Sequence, residues 1–222
     1  MIQLMCKSVF AAALLCLSAS AEAQQERIAP DLFALAERQE LHVINRTAAP
    51  LTDGNRKGAR LSAGAGEGPA LLPGVEFANG VIEFDVRGKD MQGQSFVGVA
   101  FHAVDGTTYD AVYFRPFNFQ TTDAARRARA VQYISEPAYP WDKLRADHPG
   151  KYEQAVSPIP DPNDWFHVRI VVEAAMVRVF VGDATQPTLV VNQLSNRTKG
   201  RVGIWVGNGS GGDFANLKIV SR

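Results

Sequence analysis

The apolar positions of residues 41–222 recur in short runs that are typical of β-strands. These runs alternate with Gly, Asn, Asp and Pro, and no segment keeps a helical period for long. Tight reversals at Asp105-Gly106 and at Ala174-Ala175 predict antiparallel neighbours, which stack as a sandwich or a barrel. We predict strands at 41–45, 59–63, 69–73, 80–87, 95–103, 108–115, 129–135, 165–173, 176–181, 188–191, 200–206 and 213–220.

Two helical stretches and one long connection depart from this pattern. Helices are predicted in "PDLFALAERQ", where Pro30 lies at the helix start, and in "WDKLRAD". The connection 116–162 holds seven of the twelve prolines and three of the five tyrosines, together with Trp141. A long, proline-stiffened and aromatic connection is usually functional or a packed lid, and capping of the core is the structural alternative.

The N-terminal residues have the features of a secretory signal peptide. Lys7 precedes the apolar run "VFAAALLCL", and "AEA" at 21–23 supplies a small-residue cleavage site. We therefore divide the chain into a signal peptide (1–23), an N-terminal segment with a short helix (24–40) and a β-sandwich (41–222). The expected location after cleavage is secreted or periplasmic, and no later segment is long and apolar enough to span a membrane.

The positions of the cysteines indicate the cellular compartment, and the charge balance indicates which partners are excluded. Cys6 and Cys16 both lie in the predicted signal peptide, so the mature chain would have no disulfide, which favours a bacterial envelope or extracellular protein. Leu15 disfavours a lipoprotein anchor at Cys16. The 23 basic and 23 acidic residues balance, which argues against a nucleic-acid partner. "RRAR" at 126–129 is the one basic cluster, and we expect a solvated turn there.

Strand alternation predicts a single polar surface. In "GVIEFDVRG", Ile82, Phe84 and Val86 form the apolar side, so the alternate residues face the other way. The same alternation turns the small residues Gly98 and Ala100 outward, which leaves floor space for a groove. If neighbouring strands pair as the turns indicate, this surface is formed by Glu83, Asp85, Arg87, His102, Tyr113, Arg115 and Gln132. The alternative is a solvated outer face of paired charges.

The C-terminal part resembles a known superfamily. The segments "DWFHVRIVVEAAMVRVFVGD", "PTLVV" and "GRVGIWVGNGSGGDFANLKIV" are similar to the closing hairpins of concanavalin A-like lectin and glucanase sandwiches. Laminin-G-like and family-16 glycoside-hydrolase-like domains of secreted bacterial proteins are the members they resemble most. The resemblance implies an all-β, two-sheet antiparallel jelly-roll sandwich whose concave face binds sugar. It does not fix the chemistry, because this architecture hosts sugar binders, glycosidases, lyases and protein-binding domains.

The candidate catalytic residues are Glu83 and Asp85. "EFD" resembles the start of the Glu-x-Asp-x-x-Glu pattern of family-16 enzymes, but Gly88 stands at the third position and cannot transfer a proton. Glycoside hydrolysis would therefore need another acid, Glu136 or Glu153, from the long connection.

A polysaccharide lyase is a further alternative. "YFRPFNFQ" resembles the "YFKAGxYxQ" segment of alginate lyases, and suitable residue types are present in His102, Tyr113, Arg115 and Gln132.

The expected function is exported carbohydrate binding, with a poly- or oligosaccharide as the partner. Aromatic rings stack on sugar faces, while Asn, Arg and Gln side chains hydrogen-bond the hydroxyl groups. The substrate-binding residues predicted on this basis are Arg87, His102, Tyr113, Arg115, Asn118, Gln132, Tyr139 and Trp141. The alternatives are a glycoside hydrolase that uses Glu83 or Asp85, and a laminin-G-like protein-interaction domain.

No cofactor or metal site is predicted. Two oxygen-rich turns, "GNGSGGD" at 207–213 and "DPND" at 161–164, offer ligands that Ca²⁺ accepts, but ordinary turn chemistry explains them. The four histidines are scattered and the mature chain would lack cysteine, which argues against zinc.

Overall fold

The computed structural model describes residues 26–173 and 175–222. The predicted signal peptide, residues 1–23, lies outside the described residues and stays a prediction. Among the described residues, no helix has the length and apolarity to cross a membrane.

Most of the regular structure is β-strand. The strands are β1 (Glu26–Ile28), β2 (His42–Val43), β3 (Ala48–Asp53), β4 (Arg56–Leu61), β5 (Gly68–Phe77), β6 (Gly80–Arg87), β7 (Val97–Ala103), β8 (Asp110–Phe114), β9 (Val131–Ser135), β10 (Glu153–Gln154), β11 (Phe166–Glu173), β12 (Met176–Val181), β13 (Leu189–Asn192), β14 (Gly200–Val206) and β15 (Gly212–Ser221). The helices are short: α1 (Leu32–Glu37), α2 (Ala124–Arg127), α3 (Trp141–Asp147) and a 3-10 turn at Pro116–Asn118.

The strands form two antiparallel sheets. The sheet that we call the back sheet has the order β13-β12-β11-β6-β15-β4-β3, with β1 also paired to β15. The front sheet has the order β10-β9-β8-β7-β14-β5-β2. This arrangement confirms the predicted all-β antiparallel sandwich. Strand β1 belongs to a sheet, so the sandwich includes residues before the predicted boundary at Leu41.

The core lies between the sheets and follows strand alternation. On β6, Ile82, Phe84 and Val86 are fully buried, and the residues between them are partly exposed. On the front sheet, Val99 and Val112 are register partners and are also fully buried. Burying a large aliphatic or aromatic side chain contributes about 1.5–3 kcal/mol, so these inner faces hold the two sheets together.

The connection between β6 and β7 changes sheets, which divides the predicted polar surface. β6 pairs with β11 and β15 in the back sheet, whereas β7 pairs with β8 and β14 in the front sheet. The outward side chains of β6 therefore lie on the outer face of the back sheet, and those of β8 lie on the outer face of the front sheet. The prediction that Glu83, Asp85 and Arg87 share one surface with Tyr113, Arg115 and Gln132 is wrong.

Candidate functional site

The outer face of the front sheet has an open cavity of about 410 Å³. Small-molecule sites typically measure about 300–1,000 Å³, so the cavity can hold part of an oligosaccharide. Aromatic side chains line it, namely Phe96, Tyr113, Phe117, Trp141 and Trp205. Guanidinium groups line it as well, namely those of Arg115, Arg126, Arg129 and Arg145. Among the described lining residues, Glu67 is the one carboxylate.

The floor of the cavity is aromatic because a glycine on β7 separates large aromatic residues on the two neighbouring strands. Gly98 is the register partner of Tyr113 on β8 and of Trp205 on β14. A Cβ at Gly98 would lie 2.8 Å from the Cβ of Tyr113, so a side chain there would collide with the floor. The rings of Tyr113 and Trp205 instead approach to 4.9 Å between centroids. They fill part of the space that Gly98 was predicted to leave for a groove.

Arg115 completes the floor and is only 5% exposed. Its Nη2 donates to the Tyr113 hydroxyl at 2.7 Å and to Oε1 of Gln132, and its Nη1 donates to the Arg129 carbonyl at 2.9 Å. The guanidinium lies 4.9 Å from the ring centroid of Tyr113. Burial lowers the pKa of Arg115. Pro116 begins the 3-10 turn directly after it, so the chain leaves the sheet at the cavity.

One buried carboxylate connects three of the arginines. Glu153 on β10 accepts two hydrogen bonds from Arg145, at 2.9 and 2.7 Å. The guanidinium nitrogens of Arg129 and Arg115 lie 3.5 and 3.8 Å from its oxygens. Because Arg145 belongs to α3, these contacts fix that helix at the edge of the cavity. Its first residue, Trp141, is 44% exposed, and the Arg145 guanidinium lies 4.8 Å from its ring centroid.

Another wall is formed by the 3-10 turn and α2. Arg126 Nε donates to Oδ1 of Asn118 at 3.3 Å, and Nη2 donates to the carbonyl of Phe117 at 3.1 Å. Asn118 Nδ2 in turn donates to the carbonyl of Arg129 at 3.2 Å. Asp123 caps α2 by accepting hydrogen bonds from the amides of its first turn, which sets the direction of this segment.

The carboxyl of Glu67 lies beside β5. It accepts a hydrogen bond from the hydroxyl of Tyr109. That hydroxyl in turn accepts a hydrogen bond from Trp205 Nε1 at 3.1 Å. Burial raises the pKa of Glu67, and the hydrogen bond from Tyr109 partly opposes that shift. Burial, together with the charge of Glu67, raises the pKa of a second glutamate, Glu136, to about 7.

The structure brings together half of the predicted binding residues. Four of them line the cavity: Tyr113, Arg115, Asn118 and Trp141. Gln132 is fully buried beneath them and bonds to Arg115 and Tyr113. Their roles toward a ligand remain predictions. Tyr139 lies instead in the turn after β9, where its backbone pairs with that of Ser135 and its ring packs on the core.

The predicted catalytic pair lies on the outer face of the back sheet. Glu83 is in register with Arg169 on β11 and Lys218 on β15. Asp85 accepts hydrogen bonds from His167 at 2.9 Å and from Asn216 at 2.7 Å. These partners are cationic or polar neighbours, so the two carboxylates have the environment expected of a solvated, charge-paired face.

Arg87 and His102 also lie outside the front cavity. Arg87 pairs with Asp53 at 2.7 Å and with Asp213 at 2.8 Å on the back sheet. His102 was predicted to point outward but is 1% exposed, because a β-bulge opposite β14 gives it a φ of 49°. It belongs to a buried polar cluster in which its Nδ1 lies 3.4 Å from Asp110.

The oxygen-rich turn at 161–164 shows ordinary turn chemistry, and the carboxylate of the turn at 207–213 is held by arginines. Asp161 accepts from the amide of Asn163, and Asp164 accepts from the amide of Trp165. Asp213 receives two hydrogen bonds from Arg60, at 2.6 and 2.9 Å, in addition to those from Arg87.

Much of the cavity is formed by residues that were not predicted to bind a ligand. The expectation of a solvated turn at "RRAR" was wrong for two of its members, because Arg126 and Arg129 form part of the wall. The position of this basic cluster inside the proline-rich connection is a signal that could have identified them. Glu67 had no signal, since it follows a glycine-rich turn without any motif.

The fold of this chain is similar to that of several solved structures. No protein-family model and no curated protein matches the chain. Among solved structures, the carbohydrate-binding module CBM66 from Bacillus subtilis aligns with a TM-score of 0.53 at 14% identity, covering 80% of this chain and 97% of that chain. A Bacillus subtilis protein of unknown function with a galectin-like fold gives 0.56 at 13% identity, with coverages of 89% and 96%.

A third structure is the exoplasmic/lumenal domain of VIP36 in its Ca²⁺/Man3GlcNAc-bound form. It aligns with a TM-score of 0.50 at 10% identity and covers 79% of this chain and 81% of that chain. The chain has a concanavalin A-like jelly-roll fold. This confirms the fold that the resemblance implied, and at such low identities the comparison concerns the fold alone.

Proposed function

We propose that this concanavalin A-like sandwich is an exported carbohydrate-binding protein that contacts a poly- or oligosaccharide through the front cavity. The observation that supports this most is the half-exposed ring of Trp141 at the edge of a cavity with hydrogen-bonding walls. A tryptophan face offers the apolar surface on which a sugar ring stacks. Arg126, Asn118 and Asn208 offer the donors and acceptors that hydroxyl groups need.

Two structural neighbours add support from the same fold. One is a carbohydrate-binding module, and the other is a lumenal domain bound to Man3GlcNAc. The jelly-roll architecture therefore accommodates sugar sites, although the residues that make them differ from protein to protein.

The geometry favours binding over glycoside hydrolysis. Hydrolysis uses two carboxyl groups that flank the scissile bond. Among the described residues that line the cavity, Glu67 is the one carboxylate. Glu153 lies behind the wall against three arginines, and Glu136, whose pKa is raised to about 7, is not among the lining residues. The alternative hydrolase with Glu83 or Asp85 as the catalytic residue would need a second site on the back sheet.

A uronate lyase is the second candidate function, because Tyr113, Arg115 and Gln132 meet at the cavity floor. β-Elimination needs a group that neutralises the uronate carboxylate and a group that moves a proton. Arg115 and Gln132 suit the first role, and Tyr113 suits the second. Burial raises the pKa of Tyr113 to about 12, so its phenol is protonated at neutral pH and would donate a proton to the leaving oxygen. The proton beside the uronate carboxylate would leave to a separate base, and Glu67 is the carboxylate that lines the cavity.

The test is a glycan array probed with the purified full chain and two matched variants. Trp141→Ala removes the exposed ring, and we expect binding to fall about tenfold, as for a loss of about 1.4 kcal/mol at an aromatic contact. Phe33→Ala is the control, because Phe33 is also partly exposed and next to a cation, Lys57, but lies outside the cavity. It should bind like the wild type.

The array also separates the other functions. Glycans that are bound and then recovered unchanged support a binding protein, whereas unsaturated products in mass spectra support the lyase. Equal binding by the wild type and Trp141→Ala would contradict the cavity as the site. A chain that binds no glycan would favour the laminin-G-like protein-interaction domain.

A further inference from the structure

The front cavity has more cationic than anionic groups. Its described lining contains four arginines and one glutamate. Glu153 lies behind the wall, and it is a single carboxylate shared among Arg115, Arg129 and Arg145. A carboxylate can neutralise one guanidinium, so positive charge remains on this side of the cavity even when Glu153 is ionised.

Arg126 is the clearest source of unbalanced charge. Both of its side-chain hydrogen bonds go to neutral oxygens, those of Asn118 and Phe117. Arg129 adds a half-exposed guanidinium, with 41% of its side chain accessible. Guanidinium groups bind carboxylate and sulfate oxygens through paired N–H donors, and these charge-assisted bonds are about twice as strong as neutral ones.

The charge is also polarised across the sheet. Arg115 directly follows β8, and the other three arginines lie in the segments before and after β9. Glu67 directly precedes β5. Strands β8 and β5 are separated by β7 and β14, so at about 4.8 Å per strand their backbones lie about 14 Å apart. The Glu67 carboxyl is hydrogen-bonded by the Tyr109 hydroxyl and not by one of these arginines. A ligand with an anionic group would therefore be oriented, with that group at the β8 end and its hydroxyl groups toward Glu67.

We infer that the front cavity recognises an acidic saccharide, one whose carboxylate or sulfate group is held by the arginines beside β8 and β9. The inference rests on the proposed carbohydrate-binding function and names the class of sugar. Arg126 and Arg129 would contact the anionic group directly, Arg115 would supply buried positive charge beneath it, and Trp141 would stack on the sugar ring.

The experiment uses paired glycans that differ only in charge. Oligogalacturonate, oligomannuronate, oligoguluronate and a glucuronate-containing oligosaccharide are each printed beside their carboxyl-reduced forms, and a sulfated galactan beside its desulfated form. The full chain should bind at least one acidic member, and the neutral partner should bind at least about tenfold more weakly. The uronate and sulfate arms distinguish the two sources of negative charge.

Two arginine variants test the assigned residues. Arg126→Gln keeps a donor toward Asn118 but removes the charge, so it should reduce the ratio of acidic to neutral affinity about tenfold. Arg201→Gln is the control. Arg201 also donates to a neutral oxygen, the Val104 carbonyl, but lies outside the cavity, so the preference should persist.

Each outcome has a distinct meaning. Equal or tighter binding of the neutral partners overturns the acidic class and leaves the carbohydrate-binding function standing. Absence of binding to every glycan overturns both. A charge preference that Arg126→Gln and Arg201→Gln reduce equally would reflect overall charge and would contradict the assignment to the cavity, provided that thermal unfolding shows both variants to be folded.

Discussion

The outer faces of the two sheets carry the same residue types in different balance. On the back sheet, Asp213 accepts hydrogen bonds from both Arg60 and Arg87, and Arg87 also pairs with Asp53. At the front cavity, the described hydrogen-bond partners of the Arg126 side chain are neutral oxygens. An arginine that is paired with a carboxylate of the protein has few N–H donors free to bind a ligand. A guanidinium at a cavity that has no such carboxylate partner can bind an anionic ligand. The number of polar residues on a face is thus a poorer guide to a site than their pairing.

The largest effect is expected from breaking the buried anchor of the front face. Glu153→Gln leaves Arg145, Arg129 and Arg115 clustered without their shared carboxylate, and loss of one partner of a buried ion pair typically costs about 3–5 kcal/mol. We expect a reduction of that size in the free energy of unfolding, measured by urea denaturation. Because Glu153 is 4% exposed, water cannot compensate for its loss.

The matched control is Glu76→Gln. Glu76 pairs with Lys199 at 3.2 Å, but both side chains are largely exposed, so the change should stay within about 0.5 kcal/mol. If the Glu153 variant were as stable as the Glu76 variant, the arginine cluster would not depend on a buried counter-ion and the contrast between the faces would weaken.

A smaller, pH-dependent effect is expected on the back face. The hydrogen bond to Asp85 raises the pKa of His167, so the stability that its protonated form adds is present below about pH 6.5 and lost as pH rises through the raised pKa. Burial would raise the pKa of Asp85, but hydrogen bonds from His167 and Asn216 lower it overall. Its contribution is therefore present above about pH 4 and lost on acidification.

Comparing the wild type with His167→Gln isolates this pair. The difference in free energy of unfolding should be largest near pH 5.5 and shrink toward pH 8.5, and it should stay below about 1 kcal/mol because the imidazole is 40% exposed. A difference that grows with pH would have the wrong sign and would contradict the charged pair.

Local patterns were sufficient to predict twelve of the fifteen described strands, whereas β1, β3 and β10 were not predicted. The alternation in β6 separated Ile82, Phe84 and Val86 from the outward residues, as the burial of those three side chains confirms. Helix α3 coincides with the predicted "WDKLRAD" helix. Alternation fixes which residues share a side of one strand, because the side-chain period is two.

The site was predicted only in part, since its composition depends on which strands share a sheet. Nothing local in residues 88–96 shows that the chain crosses between sheets there, and this crossing separated Asp85 from Arg115. His102 was misplaced by a bulge, which shifts alternation by one residue. Glu67 and Arg145 reach the cavity through tertiary packing, which a single sequence does not encode as a motif.

Backbone amide NMR shifts show directly whether the saccharide binds to the front cavity. The isotope-labelled full chain is titrated with the tightest-binding glycan of the array. We expect the largest shift changes in residues 92–96, 113–118, 126–129, 141–145 and 205–208. Changes concentrated in residues 81–87 and 167–171, on the outer face of the back sheet, would contradict this expectation.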